Sequence, residues 1–199
     1  QKNITTIQKQ VEGRNFDIRK HILEYDDVLN HHRLAIYSRR NKVLEGADIH
    51  TEVLEMLTME IERIISLVRG DAIEITNEII SELVQSFNSY AESEIIHIDD
   101  LANTDDWNDI QSRIYSLLSG KIEMLRNTGT EEEFAEFERR LMLSTTDELW
   151  MNHIDSMAHL REEVAFEGYA QKNPLVIYKE RAYDKFIELI HTMGHRVIK

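Results

Sequence analysis

The chain has 199 residues, no cysteine, a single proline, seven glycines and a net charge of −14 with histidine neutral. The lack of cysteine excludes disulfides and thiolate metal sites, and no run of eighteen apolar residues offers a membrane-spanning helix. The length suffices for one or two domains with real cores, and abundant Glu, Leu, Ile and Arg with few alternating β-branched stretches predict an all-α fold.

The charge is uneven. Residues 1–46 hold nine Lys/Arg against six Asp/Glu, residues 47–130 five against seventeen, and residues 131–199 nine against fourteen. The acidic middle third reads as a separate module, and its sign argues against nucleic acid as its partner. The opening Gln1-Lys2-Asn3-Ile4 lacks Met and a signal-peptide apolar core, so it reads as the start of a mid-protein segment.

The first predicted element is one helix of about forty residues. Ile4, Ile7, Val11, Ile18, Ile22, Tyr25, Leu29, Ile36 and Val43 keep a 3.5-residue period. Gly13 costs such a helix only about 1 kcal/mol relative to Ala, and Gly46 is its natural stop. At 1.5 Å per residue it runs roughly 60 Å, which suits a spine better than an element of a small compact domain.

Shorter helices follow. Val53, Leu57, Ile61, Ile64, Ile65 and Val68 form one amphipathic face, broken at Gly70-Asp71; Ile75, Ile79, Leu83 and Phe87 form a second. His97 to Asn103 reads as a loop. Thr104 is the expected N-cap of a third helix, with Trp107, Ile110, Ile114, Leu117 and Leu118 on its buried side. After the turn at Asn127-Thr128-Gly129, Thr130 and Glu133 have capping-box spacing. A second long helix carries Phe134, Phe137, Leu141, Trp150, Ile154, Met157, Leu160 and Val164, and a last helix carries Tyr178, Ala182, Phe186, Leu189, Ile190, Met193 and Val197. The short stretch from Glu167 to Asn173 between them requires an antiparallel hairpin. The expected organisation is therefore a scaffold helix over 1–46, an inserted small helical domain over 47–130, and a two-helix hairpin over 131–199.

Few residues offer catalytic chemistry. Glu94/His97 and Glu188/His191 are Glu-x-x-His units of the kind that build di-iron sites in helix bundles. Helical geometry turns Glu188 and His191 away from the apolar face of their helix, toward water. His191 and His195 have chelating i, i+4 spacing but lack the intervening Glu of a zinc protease. His31-His32 reads as a solvated face, and Glu24, Asp26 and Asp27 read as helical ion-pair partners of Arg19, Lys20 and Arg33. There is no Gly-rich phosphate loop. The expectation is no catalytic, cofactor or metal residue within these positions. Tyr169 in the hairpin loop has two readings, a ring folded back on its own hairpin or an exposed contact residue.

Two stretches carry a family resemblance. Val11-Glu12-Gly13-Arg14 followed by Asn15-Phe16-Asp17-Ile18-Arg19-Lys20-His21-Ile22-Leu23-Glu24-Tyr25-Asp26-Asp27-Val28 resembles the start of the helical scaffold domain of SecA preprotein translocase motors. Leu149-Trp150-Met151-Asn152-His153-Ile154-Asp155-Ser156-Met157, with Leu160-Arg161 and Gly168-Tyr169-Ala170-Gln171-Lys172-Asn173-Pro174, is similar to the two-helix finger of the same domain. The resemblance is specific over 1–46 and 131–199. Over 47–130 it rests on position, helicity and acidity.

It implies a parent ATPase, using ATP and Mg, that lies in the cytoplasm and peripherally at the cytoplasmic face of the inner membrane. Its implied partners are the SecY channel complex, unfolded preprotein, the nucleotide-binding domains of the same chain and a second copy. It implies a finger tip at Gly168, Tyr169, Ala170 and Gln171, with the tyrosine touching the translocating chain. The family often has a basic residue just before the tip, where this chain has Glu167. The alternatives are a free-standing helical protein-interaction module and a metal-dependent bundle enzyme.

Overall fold

The computed structural model describes residues 2–46, 48–167 and 173–199. Seven helices follow in order: α1 (Lys2–Leu44), α2 (Ile49–Arg69), α3 (Asn77–Tyr90), α4 (Ile98–Leu101), α5 (Trp107–Arg126), α6 (Glu131–Glu167) and α7 (Pro174–Ile198), with no strand among the described residues. The all-α expectation holds. The α1 helix runs unbroken for 43 residues, about 65 Å at the usual rise. It ends just before Gly46, whose φ of +82° an L side chain rarely adopts.

The chain gathers into two compact units, each discontinuous in sequence. One comprises residues 1–41 and 146–189, the other residues 42–145 and 190–199.

The first unit is a three-helix assembly. Asp26 meets Arg161, His32 meets His153 and Arg40 meets Asp147, so α6 numbers fall as α1 numbers rise and the two helices are antiparallel. Glu163 pairs with Arg181 at 2.8 Å and His153 lies against Phe186, which makes α6 and α7 antiparallel as well. Met157, Leu160, Val164, Tyr178 and Ala182 form the buried centre, with Tyr25, Val28, Leu29 and Ile177 packed against it. The 3.5-residue stripe of α1 is only partly covered: Ile36 is buried, whereas Ile22 is exposed.

The second unit has the larger core. Leu57, Ile61, Ile64 and Ile65 of α2 pack with Ile80, Leu83 and Phe87 of α3 and with Ile110, Ile114 and Leu118 of α5. Ile96 and Leu101 close the core from the α3–α5 connection, and Ile198 at the end of α7 packs against it. The expected loop over 97–103 contains the short α4. Asp106, and not Thr104, caps α5: its carboxylate accepts the Asn108 N–H at 2.9 Å, while the Thr104 hydroxyl accepts the N–H of Asp106. An aspartate two residues nearer the helix reaches the orphan N–H groups directly, which displaces the threonine to a supporting role. The Thr130–Glu133 capping box forms in both directions.

One side chain organises the connection after α3. Asn88 Oδ1 accepts the N–H groups of Ile95 and Ile96, both at 2.9 Å, and its Nδ2 donates to the Ile96 carbonyl at 2.7 Å. Those contacts hold fully buried Ile96 in the core. Asn88→Ala is expected to lower unfolding stability by about 2 kcal/mol, because it strands the N–H and the carbonyl of Ile96 beside the core. Urea denaturation measures this, and an unchanged midpoint contradicts it.

Candidate functional site

The expected contact residues Gly168, Tyr169, Ala170 and Gln171 lie outside the described residues. The structure describes the hairpin on either side of them. On the far side, Asn173 Oδ1 accepts the N–H of Leu175 at 3.0 Å, and Pro174 starts α7 where a missing N–H has no consequence.

Within the first unit an open cleft of about 500 Å³ is lined by Tyr25, Leu29, Ile154, Met157, Arg161 and Tyr178, among others. The Tyr25 and Tyr178 rings meet at 4.7 Å. Arg161 donates to Asp26 at 3.1 Å and holds its guanidinium 5.5 Å from the Tyr25 ring. Burial pushes the Tyr178 hydroxyl above its ordinary pKa, so it stays a neutral donor. Of the cluster Glu24, Asp26 and Asp27, Asp26 ion-pairs with Arg161, a residue 135 positions away.

Further along the same unit, His32 Nδ1 and His153 Nε2 meet at 3.1 Å. His32 stacks on Phe186 at 4.3 Å, His153 stacks on Trp150 at 5.6 Å, and Tyr37 stands edge-on to Trp150. His32 is 8% exposed and His153 5%. The expectation of a solvated His31-His32 pair therefore holds for His31 alone, which is exposed beside the Asp27 carbonyl. Burial lowers the pKa of both buried rings. The His31 ring adds to this at His32, while His32 and Lys185 add to it at His153, which falls to about 4. Such a pair is neutral at physiological pH, one ring donating and the other accepting.

Two buried carboxylates organise the second unit. Glu60 takes two hydrogen bonds from Arg63, at 2.7 and 2.8 Å, and lies 3.3 Å from His195 Nδ1. Burial alone would raise its pKa, but Arg63 and then His195 outweigh it and hold the carboxyl below its ordinary value. Tyr90 donates to the His195 carbonyl and stands edge-on to its ring. His50 bridges Glu138 at 2.9 Å and Glu123 at 2.8 Å.

The Glu-x-x-His units do not converge. Glu94, His97, Glu188 and His191 are all exposed, His195 turns to Glu60 and Tyr90, and among the described residues no three His, Asp or Glu side chains group to hold a metal ion.

The family described as SecA wing and scaffold domain matches residues 1–199. This chain belongs to the SecA wing and scaffold domain family. It is similar to protein translocase subunit SecA of Brachyspira hyodysenteriae (35% identical, 99% of this chain and 20% of that protein). It is similar also to those of Dehalococcoides mccartyi (36%, 99% and 21%) and Carboxydothermus hydrogenoformans (34%, 100% and 23%). The chain spans about a fifth of the length of these relatives.

In this SecA wing and scaffold chain, reasoning from apolar periodicity missed the residues with the most distinctive environments. In α6 it took Phe137 and Ile154 as part of the apolar pattern. Phe137 is 56% and Ile154 37% exposed, while their neighbours Glu138 and His153 are each 5% exposed. A polar residue with a partner on another helix holds the seam position in both cases. The available signal was the i, i+3, i+4 spacing of Trp150, His153, Met157 and Leu160, once histidine is admitted to the pattern.

Two predictions follow from these contacts. His153 has a folded-state pKa below its unfolded value of 6.5, so its contribution to stability is complete above pH 6.5. That contribution declines as pH falls toward 4, by on the order of 3 kcal/mol. Urea titrations across that range are expected to show the loss, and His153→Phe is expected to flatten it; an unchanged pH slope in the variant contradicts the assignment. Separately, His50→Ala is expected to destabilise the chain by about 2–3 kcal/mol, since buried Glu138 loses its partner, and adding Glu138→Leu is expected to recover much of that loss. Equal stability of single and double variants in thermal unfolding contradicts the pairing.

Proposed function

We propose that this chain is the scaffold and wing portion of an ATP-driven protein translocase, transmitting nucleotide-driven motion to a two-helix finger that contacts unfolded preprotein at the SecY channel. In this reading residues 1–46 are the scaffold spine, 47–130 the wing and 131–199 the finger. Gly168, Tyr169, Ala170 and Gln171 form the tip. ATP and Mg act in the nucleotide-binding domains of the parent chain, at the cytoplasmic face of the membrane.

The observation that carries the proposal is the family match over all 199 residues, from relatives named as protein translocase subunits. The antiparallel course of α6 and α7 supports it. A stiff helical pair ending in a short connection suits a part that presents a few residues to a moving chain. An aromatic tip grips diverse sequence through its ring face without needing a fixed partner side chain. The large number of exposed carboxylates in 47–130 suits a module that stays in water.

Tyr169→Ala in the full-length translocase is expected to slow preprotein translocation severalfold while leaving the thermal unfolding midpoint unchanged. Normal translocation by that variant sinks the tip assignment. The isolated 199-residue chain is expected to turn over no ATP, and robust hydrolysis by it contradicts the division of labour proposed here.

A further inference from the structure

We infer that the groove between α2 and α5 is a docking surface for a Lys/Arg-bearing polypeptide segment. The inference rests on the second unit alone and is independent of the finger assignment. The groove holds about 450 Å³ and is lined by Thr58 and Ile61 from α2 and by Asn108, Gln111, Ser112, Tyr115 and Ser116 from α5. That volume lies in the usual range of ligand-sized clefts, about 300–1,000 Å³.

The three aliphatic hydroxyls of the groove wall are left as acceptors. The Thr58 hydroxyl donates to the Leu54 carbonyl at 3.0 Å, Ser112 to the Asn108 carbonyl at 2.8 Å and Ser116 to the Ser112 carbonyl at 2.8 Å. Each hydroxyl has one hydrogen, so each contributes only oxygen lone pairs to further contacts. Gln111 donates its amide to the Glu62 carboxylate at 3.1 Å and keeps its carbonyl oxygen as an acceptor. These acceptors suit a ligand that brings donors, which an ammonium, a guanidinium or peptide N–H groups supply.

Charge selects among those ligands. No Lys or Arg lines the groove. Glu55 and Glu62 are exposed on α2 about one turn either side of Thr58, on the same helix face. The unit holds ten Lys/Arg against twenty-three Asp/Glu, a net −13 with histidine neutral, whereas the first unit is at −1. A cationic segment is steered toward such a surface and an anionic one is repelled. The partly exposed Tyr115 ring provides apolar area for the aliphatic stems of lysine or arginine.

The test is fluorescence anisotropy with a labelled, unstructured Lys/Arg-containing peptide and its Asp/Glu counterpart, titrated with the whole chain at physiological salt. The basic peptide is expected to bind and the acidic one not. Glu62→Lys, and Ser112→Trp with a side chain that fills the groove, are each expected to weaken binding about tenfold. Glu82→Lys, an equal charge change on α3 at a residue that does not line the groove, is expected to have less than about a twofold effect. Circular dichroism checks folding of Ser112→Trp, and Glu62→Lys on the surface carries the test if that variant misfolds. The inference is overturned if the basic peptide fails to bind, if both peptides bind alike, or if Glu82→Lys weakens binding as much as Glu62→Lys.

Discussion

The contact between His32 and His153 is the constraint on which the three-helix unit depends. Two imidazoles 3.1 Å apart, enclosed by Phe186 and Trp150, share one hydrogen bond only when one ring donates and the other accepts. A buried polar pair is unforgiving in register. Sliding α6 by one residue along α1 would put an unmatched imidazole nitrogen against apolar neighbours, at a cost of about 1–3 kcal/mol per orphaned group. Apolar contacts tolerate such slips far better, because Leu, Ile and Met substitute for one another with modest loss. The ion pairs Asp26–Arg161 and Arg40–Asp147 lie on either side of the histidines along the same helices and enforce the same alignment, but both are partly exposed and weaker for it.

The second unit repeats the device with different chemistry. Glu60 and Glu138 occupy buried positions that periodicity would assign to apolar side chains, and each is matched by partners: Arg63 and His195 for the first, His50 for the second. Buried polar pairings of this kind add little net stability over a well-packed apolar pair, but removing one partner is expensive. Their effect is to make one arrangement of α2, α5, α6 and the last turn of α7 much better than its neighbours. Lys199, pairing with Glu92 at 2.6 Å, and Ile198 in the core fix that last turn from its other side.

Much of the fold was legible in the sequence because it rests on local rules. Gly46 and Gly70 end α1 and α2, Thr130 with Glu133 starts α6, and Pro174 starts α7. These are signals within four residues of the feature they specify. The misses among the buried polar residues share one cause. His32 and His153 are 121 residues apart in sequence, and Glu138 and His50 are 88 apart. A single sequence does not reveal such pairings, and a pattern scored on apolar residues alone promotes Ile154 and Phe137 in their place. The Thr104 cap was misplaced by two residues because Thr104 and Asp106 both satisfy the local preference and only backbone geometry selects between them. Over the region of the expected tip the residue pattern carries the functional reading alone.

The scaffold role proposed above asks for long helices that keep their alignment, and buried polar matching serves that need where apolar packing would let helices slide. The central claim is that the His32–His153 pair is neutral and hydrogen-bonded in the folded chain. Imidazole NMR resonances followed from pH 7.5 to 3.5 test it most directly, over a range that brackets the ordinary histidine pKa of about 6.5. His153 is predicted to hold its neutral signature through pH 6 and titrate near pH 4, with His32 titrating below the ordinary histidine value. Titration of both rings near pH 6.5, as for solvated histidine, would contradict the account.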